Sequence, residues 1–168
     1  MERSEDFWEI TSTALRSAIS ELVIAANEAP LNQLMQTYLR ADVFPDTKPA
    51  LQSQAGTRSA ILSNGSPAML EAAVRNSGLQ IHFAEIISVD GAKTYKPSPR
   101  VYALGPEVLR QPAEEIVFVS ANSWDAAGAK AFGYKVCWCN RTKAEPERLG
   151  CPADKVVSGL DEITGMLL

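Results

Sequence analysis

Apolar residues recur at helical spacing over roughly the first forty positions, then give way to short apolar runs separated by polar, turn-rich segments. From Asp6 to about Ala26, residues Phe7, Ile10, Ala14, Leu15, Ala18, Ile19, Leu22 and Val23 fall on one helical stripe, and "LNQLMQTYLRA" repeats the pattern. Two amphipathic helices therefore open the chain. The stretch "FPDTKP", with two prolines and an aspartate, marks a boundary. Beyond it "SAILS", "AEIISV", "EIVFV", "YKVCWC" and, more weakly, "KVVS" read as strands. Helices are expected after each of the first four, with a last one near "LDEITGMLL". Apolar strands alternating with amphipathic helices predict an α/β fold whose parallel sheet is covered on both faces. Ligands of such sheets sit beyond the carboxyl ends of the strands.

Composition narrows the chemistry. The 168 residues are 46% hydrophobic and 21% charged, the mixture of one soluble domain with a real core. Net charge is −4 and the basic residues are scattered, which argues against nucleic acid and against anionic membranes. No apolar run has the length of a signal peptide or a membrane span, so a cytoplasmic protein handling a small molecule is expected. Cys137, Cys139 and Cys151 are odd in number and lack CxxC spacing, which suggests buried small residues and neither disulfides nor a zinc site. His82 is the only histidine, stands beside no acidic or cysteine cluster and is given no catalytic weight.

Three strand ends carry polar residues. In "ILSNGSPAML", Ser63 and Asn64 end a strand and Ser66-Pro67 starts a helix, so the turn is either simply capped or a cradle for a carboxylate or phosphate. In "GAKTYKPSPRVYAL", Pro97 favours an extended Lys96 on a short loop at the sheet's rim, where the ammonium either meets solvent or neutralises a carboxylate. Tyr102, one turn further on, either reaches the same space or packs. In "SANSWDAAGAKAFG", Ser120 and Asn122 offer uncharged hydrogen bonds and Asp125 a carboxylate, which the helix dipole alone would also favour. Three such ends on one rim point to a site. "GAKAFGYK" lacks the Lys-Ser/Thr of a phosphate-binding loop, and GxGxxG, GxSxG and HExxH patterns are missing from the sequence.

The stretches "ILSNGSP", "SVDGAKTYKPSPRVYAL" and "FVSANSWDAAGAKAFGYKVCWCNR" resemble the second, third and fourth motifs of the L-2-haloacid dehalogenases, within the haloacid dehalogenase superfamily. "EDFWEITSTALRSAI" and "LMQTYLRADVFPD" are similar to that family's helical cap, so the resemblance spans nearly the whole chain. It implies a Rossmann-like three-layer core over residues 45–168 and part of a helical cap over 1–44. It also implies a cofactor-free, metal-independent reaction in which an aspartate displaces halide from C2 of a 2-haloacid and water hydrolyses the resulting ester. Carried over by motif, Ser63 and Asn64 would hold the substrate carboxylate and the halide. Lys96 would balance the carboxylates with Tyr102 nearby, Ser120 would bond the nucleophile, and Asn122 and Asp125 would position water. Phe7 and Trp124 match the apolar wall around the halogen, and both also suit a plain core. The partner implied is a small 2-haloacid or related carboxylate, and the assembly a homodimer.

Two features depart from plain membership. The superfamily's magnesium-dependent phosphatases carry Gly-Asp where this chain has Ser120-Ala121, so a carboxylate ligand is replaced by a methyl group and the metal-free branch is favoured. The family's nucleophilic Asp, at the end of an N-terminal strand, has no counterpart among Asp6, Asp42, Asp46, Asp90, Asp125, Asp154 and Asp161. The expectation is an N-terminally truncated chain, lacking the first core strand between those ending at Ser63 and Ser120, shortened in "PALQSQAGTRS" and inactive alone. Two open apolar sheet edges should follow. A non-catalytic carboxylate-binding or assembly module and a phosphatase fragment are the alternatives.

Overall fold

The computed structural model describes residues 6–22 and 28–166, apart from the side chain of residue 164. Val23 and the end of the first predicted helix lie outside the described residues.

Helix α1 (Phe7–Glu21) begins at Asp6, whose carboxylate accepts the Trp8 N–H at 3.0 Å, an N-cap of the expected kind. It pairs with α2 (Glu28–Thr37), whose Leu31 and Met35 are buried. No residue of α1 is buried, and Leu22, Leu34 and Tyr38 stand exposed. The stripe read from the sequence is therefore only half covered. After Phe44 and Pro45 comes α3 (Thr47–Ser53).

The strands fall close to their sequence positions. They are β1 (Ala60–Ser63), β2 (Glu85–Ser88), β3 (Val117–Ser120), β4 (Lys135–Cys139) and β5 (Lys155–Val157). All pairings are parallel, but the strands form two sheets, β1-β2 and β3-β4-β5. Among the described residues β1 and β3 each keep one edge without a ladder partner, in line with the open edges expected. Leu62 of β1 packs against clusters on both sides, one containing Val89 and Val101 and the other Tyr102 and Phe118. Sheet cover is complete only over β4, where Val136, Cys137, Trp138 and Cys139 are all buried. Val119 and Val156 of the flanking strands β3 and β5, and Ile86 of β2 in the other sheet, are exposed.

Helix α4 (Pro67–Ser77) follows β1. It has Ser66 at its N-cap position, although the hydroxyl makes no capping bond, and it ends at Gly78 with φ +68°, the left-handed turn that glycine allows at no steric cost. The short helices α5 (Pro99–Tyr102) and α6 (Leu104–Leu109) follow β2, and α7 (Ser123–Phe132) follows β3. The fourth expected helix is a correction, because residues 140–154 form none. Pro146 and Pro152 supply no N–H, and Lys143 and Gly150 adopt positive φ. Asn140 instead brackets the segment, donating to the Ala144 carbonyl and accepting the Ala144 N–H, both at 2.9 Å. The last predicted helix is a 3-10 segment, Leu160–Met166, which packs on Cys137, Cys139 and Val157. Burial pushes the Cys137 thiol up to about 11.

Asp46 joins the linker to the core. It occupies the N-cap position of α3 but makes no cap bond. Its carboxylate accepts instead from Arg141 at 2.8 Å and from the Leu160 N–H at 2.7 Å, and the Arg141 guanidinium lies 4.1 Å from the Phe44 ring centroid. Burial alone would raise this carboxyl's pKa, but the Leu160 N–H and then Arg141 outweigh it and hold it below the ordinary value of 3.8. Asp46→Ala removes both bonds and is expected to cost about 2 kcal/mol, against about 1 for Arg141→Ala, which leaves the Leu160 bond in place. Urea unfolding at pH 7 checks the order. The Asp46 contribution is present above the unfolded carboxyl's pKa and disappears as pH falls through the lower folded value, so the two variants should converge on wild type in acid.

Candidate active site

The carboxyl ends of β1, β2 and β3 bring the polar residues read from the sequence together on one rim. Asp125, in the first turn of α7, is the only charged residue buried below a tenth of its surface among the described residues. A buried carboxylate requires compensation, and three donors provide it. Tyr102 OH donates to Oδ1 at 2.8 Å, while Lys96 Nζ at 3.1 Å and Ser120 Oγ at 2.8 Å donate to Oδ2. The ion pair is shielded, its side chains being 10% and 6% exposed, so solvent screens it little. Lys96 Nζ also sits 4.8 Å from the centroid of the Phe118 ring.

Lys96 links the other strand end as well. Its backbone N–H donates to Asn64 Oδ1 at 3.0 Å, so the Asn64 amide has its acceptor engaged and its Nδ2 donors left for something else. Ser63 Oγ accepts the Gly65 N–H at 3.2 Å and keeps its own proton to donate. Ser88, at the end of β2, donates to the Gly65 carbonyl at 2.8 Å and ties the two strand ends together. The sequence reading passed over Ser88, though a lone serine closing the apolar run "EIIS" was its signal. At the third strand end, Ser120 Oγ accepts the Asn122 N–H at 3.2 Å while donating to Asp125. The Asn122 side chain, at the N-cap position of α7, makes no cap bond and is exposed at the rim.

Tyr102 lies beneath the site, fully buried against Phe118, with ring centroids 5.7 Å apart and nearly perpendicular. Burial first, and then the neighbouring Asp125 carboxylate, push its hydroxyl well above the ordinary tyrosine value, so it remains a donor. The Tyr134 hydroxyl in turn donates to the Tyr102 carbonyl at 2.6 Å. Phe7 meets the rim from α1, its ring centroid 5.9 Å from that of Tyr95, next to Lys96. Trp124 is half-buried on α7, and His82 lies in a 3-10 turn apart from these groups. Tyr95 is a further rim residue that the sequence reading did not single out.

Chemically, this is a rim of uncharged donors around an ammonium already paired with one carboxylate. Asp125 has both oxygens tied down, which suits holding and polarising a water better than attacking carbon. Among the described residues no three His, Cys, Asp or Glu side chains converge as a metal site would require, and no helix is long and apolar enough to cross a membrane.

Comparisons with known proteins agree with this architecture. The sequence profile of the haloacid dehalogenase-like hydrolases matches residues 1–133. "Haloacetate dehalogenase H-2" of Moraxella sp. (strain B) is 42% identical over 163 residues, covering 96% of this chain and 73% of the relative. "(S)-2-haloacid dehalogenase H-109" of Pseudomonas putida is 40% identical over 170 residues, covering all of this chain and 76% of the relative. The solved L-2-haloacid dehalogenase of Xanthobacter autotrophicus, with chloropropionic acid covalently bound, superposes with a TM-score of 0.89 at 34% identity, over 97% of this chain and 76% of that one. The rim residues thus stand on a shared fold, and the chain belongs to the haloacid dehalogenase-like hydrolases, among their 2-haloacid dehalogenases.

Proposed function

We propose that these residues form the binding and water-positioning part of a hydrolytic L-2-haloacid dehalogenase that works through an aspartyl ester. Residues 1–44 are the helical cap of this reading and 45–168 its core. The observation that carries it is the buried Lys96–Asp125 pair, whose carboxylate also accepts from Tyr102 and Ser120 and which is joined through the Lys96 N–H to Asn64. Ser63 Oγ–H and the Asn64 amide then bind the substrate carboxylate and the departing halide, while Lys96 offsets the negative charge that accumulates. Phe7 and Trp124 supply the apolar wall, and Tyr102 acts from below by holding Asp125.

In the first step of this reading a carboxylate oxygen attacks C2, the carbon–halogen bond breaks, and halide leaves with the bonding pair. In the second, a water oriented by Asn122 and Asp125 attacks the ester carbonyl, which releases the 2-hydroxyacid and restores the carboxylate. Asp125 does not serve as the attacking group, because three donors occupy its oxygens. The remaining aspartates of the sequence do not end a strand at this rim, so these 168 residues bind and orient but do not turn over alone. Leu22, Leu34 and Tyr38, exposed on the helical layer, support a homodimer.

Calorimetry with L-2-chloropropionate is expected to give saturable binding that Lys96→Met weakens at least about tenfold, the loss of one charge-assisted hydrogen bond. Chloride release by the same chain should stay at background. Absence of binding heat overturns the site, and chloride release overturns the inactivity. Magnesium-dependent hydrolysis of p-nitrophenyl phosphate would move the reading to the phosphatase branch.

A further inference from the structure

The turn that carries Asn122 lies beyond the reach of its own sheet. The last ladder pair of β3 with β4 is Ser120 opposite Trp138, so Ala121 and Asn122 have no strand to hold them. A turn between a strand and a helix can drift, yet Asn122 has to keep one orientation if it is to place a water. Ser120 fixes the turn from within, its hydroxyl accepting the Asn122 N–H. Trp138 fixes it from outside, because its indole N–H donates to the Ala121 carbonyl at 3.0 Å. The indole is 6% exposed and packs with Phe118, Ala126 and Val136, so the donor cannot wander. Ala121 itself is exposed, and without this bond its carbonyl would turn to solvent.

We propose that Trp138 is a positioning residue: its indole continues the β3–β4 ladder by one side-chain bond and thereby sets the orientation of Asn122, leaving the Lys96–Asp125 pair untouched. The functional weight of this inference rests on the reading of Asn122 as a water-orienting residue. The bond itself does not. The consequence is a division of labour at one strand end. Lys96, Tyr102 and Ser120 hold Asp125 from the core side, and Trp138 holds the neighbouring peptide, so Asn122 and Asp125 share the Ser120 hydroxyl but each has a support of its own besides.

Amide hydrogen exchange on the 168-residue chain tests it. Trp138→Phe should raise exchange at Asn122, whose N–H is held by Ser120 Oγ, about tenfold relative to amides of β1 and β2, the size expected for one lost hydrogen bond. Val136→Ala is the control, since it loosens the same strand and cluster without touching the indole bond, and it should not single out the turn. Should the phenylalanine variant fold poorly, the tryptophan analogue with sulfur in place of the indole N–H keeps the shape, and the same local increase is expected. Equal exchange at Asn122 in the sulfur analogue and wild type overturns the proposal, as does an increase no larger than that in Val136→Ala. Calorimetry of L-2-chloropropionate on wild type separates the two levels. Failure to bind sinks the reading of the site, whereas unchanged exchange sinks the role of Trp138.

Discussion

Replacing Asp125 by alanine is expected to lower the unfolding free energy by about 3–5 kcal/mol, the range for leaving one member of a buried ion pair uncompensated. The single change strands an ammonium, a phenol and a serine hydroxyl, all of which lie at or below a tenth exposed. Asp125→Asn keeps the shape and the acceptor for Tyr102, but it turns an amide N–H towards Lys96 and Ser120, which are themselves donors. Its cost should fall below that of alanine and remain above about 1 kcal/mol. Lys96→Met is milder than either, because the carboxylate keeps two hydroxyl donors and the thioether can pack on Phe118 where the ammonium stood. Urea unfolding of the three variants gives the ranking directly. If Asp125→Ala and Lys96→Met agree within about 0.5 kcal/mol, Asp125 is not the hub described here.

The second large effect falls on Gly128. A Cβ built there would lie 2.6 Å from the Tyr102 hydroxyl and 3.0 Å from two of its ring carbons. Tyr102 has no room to retreat, being fully buried against Phe118, Phe132 and Tyr134 with its hydroxyl held by Asp125. In an open helix interior, alanine in place of glycine gains about 1 kcal/mol. Here overpacking of about 1–3 kcal/mol or more reverses the sign, so Gly128→Ala is expected to destabilise. Tyr102→Phe removes the nearest clash and leaves the two ring contacts, so the double variant should recover part of the loss. That coupling is the signature to look for in a double-mutant cycle. Additive effects would mean that Tyr102 and Gly128 do not share the space.

How far the sequence disclosed this architecture depends on the range of the forces involved. Strand positions were legible because five apolar runs are bounded by polar turn residues, and each lies within a residue or two of its place in the structure. The shift at β3 has a local cause: Glu115 closes a 3-10 turn, and the ladder starts only at Val117. Residues 140–154 break the strand–helix alternation expected there, because two prolines and a glycine hold the backbone elsewhere. Lys96, Ser120 and Asp125 were visible as polar interruptions at strand ends, and the fold brings the first two within hydrogen-bonding distance of the third. Tyr102 sits deeper than its spacing suggested, since α5 stops at it and aims the ring into the core. Trp138 and Asp46 could not be found by pattern, because their partners are fixed by strand register and by segments 17 and 95 residues distant in sequence.

Cys137 and Cys139 are buried as the sequence suggested, while Cys151 is only half-buried, and the burial matters in a protein of this family. The 2-haloacids for which its relatives are named are alkylating agents towards thiolates. With its thiol held near 11, Cys137 carries at neutral pH only about one thiolate in ten thousand molecules, and beneath the 3-10 segment that thiolate has no path to the reagent. Packing that serves the sheet thus also shields the Cys137 thiol from such alkylation.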